Sequence, residues 1–397
     1  MPLRLLRQTN LASLAVLPDE LMVEIFSWFS VKHVMQLRCV NKFFKTLISD
    51  PYFVQMHLEK STPTPNLALV WLDCRKDSDS HFVSQSIPGL LQNQFNSLRN
   101  DPSYRLINFV RIDLVVGSCN GLLCLICSAY PSSLDAWLCF WNPAMRTISN
   151  KFGLFSRAVE FKFCFGYDNL NKTYKVVAFL VDLDIDRCLE NTVKIFSLGD
   201  NSWRDIQCFP VDVIPLHWID AWHNKVVYLN GTINWLAYSN YGFYLMGVIE
   251  NYVILSLDLS TESYTQMTLP RGFDKGPHVR ANITLLMNFL CFCRDLERNH
   301  FVIWQMKEFG VQESWVQLFK ISYHNFYSTS NLFDIQEAEL LPIHLSENGY
   351  TLILTNDYKA PVCICDCRDD TVELIRTTDM ILWLWAKDHI ESLVPTC

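Results

Sequence analysis

Apolar and polar positions change their period once along the chain, near residue 60. Before that point Leu21, Ile25 and Phe29 recur at i, i+4 and i+8, the spacing that stacks side chains on one helical face. Asp19, Glu20 and Glu24 come early in this stretch, where carboxylates favour a helix N-terminus, so a first helix is predicted to start near Pro18. Ser30 is placed to cap a second helix carrying Val31, Val34 and Leu37, with Arg38 near its end. Asn41 is placed to cap a third that carries Phe44, Leu47 and Ile48. Asp50 followed by Pro51 announces a fourth, since Asp caps well and proline fits the first helical turn.

From about residue 61 the pattern becomes short apolar and aromatic strands divided by polar turns. The stretch from Ser61 to Asn66, STPTPN, reads as the linker because its prolines block helix continuation. A repeat follows: a strand, a polar turn, then a strand with one large apolar residue after the turn. Its instances are FWNPAMRTI, IFSLGDNSWRDI, LSLDLSTESYTQM, IWQMKEFGVQESWVQL and ICDCRDDTVELI. They align Met145, Trp203, Tyr264, Trp315 and Val372 in one column, at separations of 58, 61, 51 and 57 residues. A four-stranded propeller blade takes about 40 to 50 residues, so each interval holds one blade with room for protruding loops. Inner strand pairs are predicted at VVGSCNGLLCLI, CFGYDNLNKTYKVVAFL, VVYLNGTINWLA, ITLLMNFLCFC and LSENGYTLILTN, several with Gly or Asn-Gly where a tight hairpin needs positive φ. A further blade between Leu67 and Asp113, closed by a C-terminal strand, brings the expected number to six.

The helical segment holds more apolar surface than it can bury. About 40 residues are too few to be stable without disulfides, metal or association, yet residues 17 to 58 include Leu17, Leu21, Ile25, Phe26, Trp28, Phe29, Val34, Leu37, Val40, Phe43, Phe44, Leu47 and Ile48. A partner is expected.

Composition narrows the class of partner. The chain has 397 residues, 50% hydrophobic and 13% aromatic, enough for a large core. Its net charge is −8 and no Lys/Arg run exceeds two residues, which argues against a nucleic-acid surface because phosphate binding needs clustered positive charge. The strongest apolar run, Leu285 to Cys293, is strand-sized, so no membrane span is expected. Residues 1 to 16, with Arg4, Arg7 and an apolar stretch from Leu11 to Val16, read as an N-terminal extension rather than a targeting peptide. Fifteen cysteines lie mostly inside apolar strand-like runs, which suits reduced thiols in the cytoplasm or nucleus. In such a compartment the Asn-x-Thr sequons at Asn171, Asn230 and Asn282 are chance matches.

Residues 17 to 58 resemble an F-box, the helical motif by which substrate receptors dock onto a Skp-type adaptor of a cullin-RING ubiquitin ligase. The resemblance rests on Leu17-Pro18 with Asp19, Glu20 and Leu21, on Ile25, and on Leu37-Arg38-Cys39-Val40-Asn41-Lys42 leading to Leu47-Ile48-Ser49-Asp50-Pro51-Tyr52-Phe53. Ser30 stands where members often have proline, and Phe44 where they usually have tryptophan; both keep the physical role, a helix start and a large aromatic. Further on, Gly117-Ser118-Cys119-Asn120-Gly121-Leu122-Leu123, Trp141-Asn142-Pro143, Phe165-Gly166-Tyr167-Asp168 with Tyr174-Lys175-Val176-Val177, and Ser314-Trp315 resemble the F-box-associated, kelch-like domain of the large plant F-box family. Kelch repeats carry Gly-Gly pairs and this chain has none, so its repeat is degenerate, and a six-bladed ring and a partly open β-structure both satisfy the sequence. The resemblance implies an F-box over 17–60 and a kelch-like β-propeller domain over 61–397, that is, a small all-α unit followed by a large all-β one.

Catalytic patterns are missing. There is no phosphate loop, no Gly-x-Ser-x-Gly elbow, no His-Glu-x-x-His and no dinucleotide fingerprint. Cys124 and Cys127 form a CxxC without two further ligands at zinc spacing, inside an apolar run, and read as core thiols. Cys363, Cys365 and Cys367 alternate and so share one face of a strand. Asp182, Asp184 and Asp186 lack the Gly and Glu of a calcium loop. His217, His223, His278 and His300 are isolated. No cofactor, metal or catalytic residue is expected.

The expected role is therefore a non-catalytic substrate receptor of a Skp-cullin-F-box ubiquitin ligase. The resemblance implies adaptor contacts at Leu17, Pro18, Leu21, Ile25, Phe29, Leu37, Val40 and Phe44. A protein target is expected at long blade-end connections: Asp73 to Arg105, Asp182 to Asn191, Pro210 to Trp222, Tyr238 to Asn251 and Tyr323 to Asn331. Trp218, Trp222, Tyr241, Phe243, Tyr244, Phe326 and Tyr327 are the aromatic anchors proposed there. Two other classes fit less of the chain: an adaptor-bound protein acting outside ubiquitination, and a propeller enzyme or carbohydrate-binding module, which needs acids, histidines or stacked aromatics converging at one mouth.

Overall fold

The computed structural model describes residues 17–60, 66–72, 80–86, 111–129, 133–156, 162–181, 191–210, 213–215, 226–239, 252–271, 281–297, 299–327, 340–356, 362–369, 371–375 and 385–396. Four helices come first: α1 Asp19–Phe26, α2 Val31–Arg38, α3 Lys42–Ile48 and α4 Pro51–Lys60. The expected starts hold. Pro18 precedes α1, Asn41 caps α3 by accepting from the Phe44 amide at 2.9 Å, and Asp50 accepts from the Tyr52 amide at 2.8 Å ahead of Pro51. Ser30 occupies the cap position of α2, but its hydroxyl meets His33 Nδ1 at 2.8 Å instead of a backbone amide.

Among the described residues, the strands that follow pair antiparallel, in six sheets. Strands β1 (Asn66–Leu72) and β2 (Ser80–Ser86) pair with each other and, through β1, with the last strand, β25 (Trp385–His389). The next sheet runs β3 (Arg111–Cys119), β4 (Leu122–Ser128), β5 (Asp135–Asn142), β6 (Thr147–Ile148), with β7 (Phe152–Ser156) also on β5. Then come β8 (Lys162–Asp168), β9 (Thr173–Val181), β10 (Asn191–Ser197) and β11 (Ser202–Ile206). The fourth sheet holds β13 (Val226–Leu229), β14 (Thr232–Ser239), β15 (Tyr252–Asp258) and β16 (Tyr264–Thr268), plus β12 (Val213–Pro215) on β14. The last two are β17 (Ala281–Leu286), β18 (Phe289–Leu296), β19 (His300–Met306), β20 (Trp315–Ser322), and β21 (Leu340–Leu345), β22 (Thr351–Asn356), β23 (Val362–Asp366), β24 (Thr371–Ile375). The strands β3, β8, β13, β17, β21 and β25 neighbour one another in that order and close back on β3. Apolar clusters fill the spaces between successive sheets.

Every predicted hairpin is present. Asn120-Gly121 and Asn230-Gly231 turn with positive φ at both residues, as two-residue hairpins require. One member of the aligned column is displaced. Trp203, Tyr264, Trp315 and Val372 each sit near the start of a sheet's fourth strand, but Met145 lies in the turn before β6, and Ile148, opposite Trp141, takes the equivalent place. The turn runs on through Arg146, whose φ is 55°.

The fourth-strand aromatics also tie the sheets together. Trp203 Nε1 donates to the Gly153 carbonyl at 3.0 Å, Tyr264 Oη to the Gln207 carbonyl at 3.0 Å, and Trp315 Nε1 to the Thr268 carbonyl at 3.1 Å. Each acceptor lies on, or just after, an outer strand of the preceding sheet.

Candidate functional site

The helical unit has two different faces. Its inner face, Met22, Val23, Val31, Val34, Leu47, Ile48 and Phe53, is buried together with Leu393, and Ala144 and Met145 of the β5–β6 turn pack against it. The apolar surplus read from the sequence is thus partly absorbed by the chain's own β-domain. The outer face is not. Leu17 is 48% exposed, Leu21 49%, Ile25 42%, Phe29 39% and Val40 65%, and Pro18 is also exposed. Among the eight residues expected to meet an adaptor, Leu37 and Phe44 are half-buried instead. Phe44 packs edge-on to Phe26, ring centres 5.6 Å apart, and so supports the exposed row from beneath.

Trp28 of the apolar surplus is 64% exposed as well, three positions after Ile25 and so beside the i, i+4 row of Leu21, Ile25 and Phe29. Lys60 of α4 lies 5.2 Å above its ring and pairs with Glu24. Beneath, the buried His57 donates from Nε2 to the Phe29 carbonyl at 2.8 Å. Burial depresses the His57 pKa more than this bond raises it, and the ring pins the backbone at the edge of the face.

The opposite end of the β-domain is where long connections begin. First-to-second and third-to-fourth strand turns lie at the end touching the helices, as Met145 shows. Connections between second and third strands start at the other end, as do the sheet-to-sheet connections after β3–β7, whereas segment 87–110 leaves β2 on the helix side, where Ser86 lies opposite Asn66 and Asn66 opposite His389. Segments 73–79, 182–190, 216–225, 240–251 and 328–339 all start from strand or helix ends on that side. Trp218, Trp222, Tyr241, Phe243 and Tyr244 lie outside the described residues, as do Asp182, Asp184 and Asp186. Ser80–Ser86, inside the stretch expected as a loop, is strand β2. Phe326 is corrected: in the short helix Tyr323–Tyr327 it is fully buried in the core between the last two full sheets, so it is packing and not a surface anchor. The side chain of Tyr327 is outside the described residues.

The cysteine readings follow from strand geometry. Cys124 and Cys127 are buried three positions apart on β4 and enter different apolar clusters, one on each side of the sheet, so one ion cannot bind both. Cys363 and Cys365 share a buried face with Cys367 packed against it. Among the described residues no group of three His, Cys, Asp or Glu side chains is arranged to hold a metal.

The motif around Phe165-Gly166-Tyr167-Asp168 and Tyr174-Lys175 is an ionic joint. Asp168 and Lys175, both buried, pair at 2.8 Å, and Lys175 also meets Glu262 at 3.0 Å in the next sheet's outer turn. Glu262 pairs in turn with Arg204. Asp168 further accepts from Ser260 Oγ at 2.7 Å and Asn171 Nδ2 at 2.8 Å. Burial pushes its carboxyl upward, but the hydrogen bonds from Asn171, Lys175 and Ser260 outweigh it and hold the group well below the usual carboxylate range.

Comparison with known proteins agrees with this arrangement. Residues 14–56 match the F-box domain family, and residues 80–385 match the F-box associated beta propeller domain family. An F-box/kelch-repeat protein of Arabidopsis thaliana is 27% identical over 314 residues, covering 77% of this chain and 79% of that protein. The F-box protein CPR1 of the same plant is 25% identical over 331 residues, covering 78% and 73%. With four helices leading into antiparallel sheets whose first strands close a ring, the chain belongs to the F-box proteins with an F-box associated beta propeller domain.

Proposed function

We propose that this protein is the substrate-recognition subunit of a Skp-cullin-F-box ubiquitin ligase, holding a Skp-type adaptor on the outer face of its helices and a protein target on the loop end of its β-domain. The observation that carries the reading is the group Leu17, Leu21, Ile25, Trp28, Phe29 and Val40, exposed on a unit whose inner face is already buried. Scattered exposed apolar residues are ordinary; a contiguous row on one face marks an interaction site. The subunit supplies geometry and no chemistry of its own. Holding a target lysine near a charged ubiquitin carrier raises effective concentration without catalytic groups on the receptor. Most described cysteines are buried within apolar strand faces, in keeping with reduced thiols in cytoplasm or nucleus.

Co-expression with a Skp-type adaptor tests this. The full chain is expected to co-purify with adaptor and, through it, cullin, and a Leu17→Ala, Pro18→Ala double variant is expected to lose that association. Full adaptor binding by the double variant would overturn the assignment.

A further inference from the structure

Three stretches far apart in sequence converge on residues 390–396. Asn142, fully buried, donates from Nδ2 to the Ser392 carbonyl at 3.0 Å and the Val394 carbonyl at 2.8 Å, while its Oδ1 accepts from the Met145 amide at 3.0 Å. Gly121, at φ 79°, lets the segment pass: a Cβ there would stand 2.7 Å from the Ile390 carbonyl and overlap Ser392 Oγ. Leu393 and Val394 then point into different cores. Leu393 is buried with Met22, Val23, Val34 and Ile48 of the helical unit, and Val394 with Cys124, Phe140 and Phe165 of the β-domain. Val54 of α4 packs against both clusters. Two motifs of the β-domain, Cys119-Asn120-Gly121 and Trp141-Asn142-Pro143, thus serve one extended segment that joins the halves of the molecule.

We propose that residues 390–396 form a strap, held by Asn142 and Leu393, that seats the F-box on the β-domain in a single orientation. The proposal rests on the receptor reading above. Adjacent residues of an extended chain point to opposite sides, so one short segment locks two cores. Asn142 supplies buried donors to two backbone carbonyls of the segment at once, bonds that are costly to leave unmade. With the seat locked, the distance and angle from a docked adaptor to the loop end are fixed, and an effective concentration set by a stiff spacer depends on that span.

The test uses the full chain, free and bound to a Skp-type adaptor, with Leu393→Ser and Asn142→Ala variants. Adaptor affinity, hydrogen exchange and small-angle scattering are measured together. Both variants are expected to bind adaptor within about threefold of the parent, because the docking face is untouched. Exchange in α4 and in residues 390–396 is expected to rise at least about tenfold, with β14, β15, β18 and β19 unchanged. The complex is expected to show a larger maximum dimension. Unchanged exchange in α4 and unchanged scattering would overturn the strap. So would loss of adaptor binding with general exposure of α1–α3, which would make the segment a folding requirement of the F-box. If Leu393→Ser is insoluble, Leu393→Ala gives the same readouts. Failure of the parent chain to bind adaptor defeats the receptor reading instead, and exchange and scattering of the free chain still decide the strap.

Discussion

The indole of Trp203 in β11 donates to the Gly153 carbonyl in β7 at 3.0 Å, and Gly153 holds φ 49° beneath it. The pair joins two sheets that share no ladder, so its weight falls on sheet-to-sheet packing. A Cβ at Gly153 would lie 2.9 Å from that indole nitrogen and 3.0 Å from the Phe196 ring. Trp203→Phe keeps a large ring and orphans the carbonyl; the expected loss is about 1–2 kcal/mol. Gly153→Ala adds overpacking to left-handed strain and is expected to cost about 1–3 kcal/mol. Urea unfolding of the full chain measures both, and a midpoint unmoved by either change would remove the latch.

The equivalent change in another sheet, Trp315→Phe, removes the donor to Thr268. Trp203 and Trp315 belong to sheets separated by a third, so the two losses are expected to add within about 0.5 kcal/mol. A strongly non-additive double variant would show the latches acting as one unit.

The ionic joint makes a pH prediction. Asp168 titrates near 3.9 when unfolded and lower when folded, because its hydrogen bonds outweigh its burial. A depressed carboxyl stabilises the fold above its unfolded pKa, and that contribution is lost as pH falls through the folded value. Stability is therefore expected to drop from about pH 4 downward, and to drop less steeply in Asp168→Asn. At neutral pH Lys175→Met strands the buried Asp168 charge and is expected to cost about 3–5 kcal/mol. Denaturant midpoints between pH 2 and 7 give both results; an identical slope in Asp168→Asn would dismiss the joint as the source.

Much of this architecture is legible in the chain because each level of the pattern agrees with the next. The five inner and five outer hairpins fall where the apolar runs and turn residues place them, and the helix starts near Pro18 and at Asn41 and Asp50 need only cap chemistry. Less visible is what each motif is for. Trp203 and Trp315 read as apolar positions, yet their nitrogen atoms do the joining, and the acceptors Gly153 and Thr268 lie 50 and 47 residues away. Asn142 sits in a recognisable Trp-Asn-Pro, but its partners are 250 and 252 residues distant. Met145 falls outside the aligned column because an apolar turn residue packed against the helices mimics the start of a strand. Phe326 reads as a loop aromatic because the five-residue helix that buries it leaves too little periodicity in the sequence.

The cysteines separate by environment. Cys39 and Cys208 are exposed. Burial raises the Cys291 and Cys363 thiols to about 12 and pushes Cys124 and Cys293 well above the ordinary range, and the thiolate is the reactive form. Among the described residues, brief iodoacetamide treatment of the native chain is expected to modify Cys39 and Cys208 and to spare these four. Peptide mapping reads the pattern, and fast native labelling of Cys124 or Cys363 would contradict the burial assigned to them.

The two faces of the F-box predict opposite phenotypes for changes of similar size. Ile25 and Val40 are 42% and 65% exposed, whereas Val34 is fully buried. Ile25→Ala and Val40→Ala remove contacts from solvent-facing positions and are expected to shift stability by no more than about 0.5 kcal/mol. If they lie under the adaptor, either change is expected to weaken its binding by at least about 1 kcal/mol, roughly fivefold. Val34→Ala is expected to do the reverse, lowering stability by about 1–3 kcal/mol through a cavity on the strap side while leaving the docking face in place. Paired measurements of unfolding and adaptor affinity separate the cases. Equal affinities for Ile25→Ala, Val40→Ala and the parent would move the adaptor contact off this face.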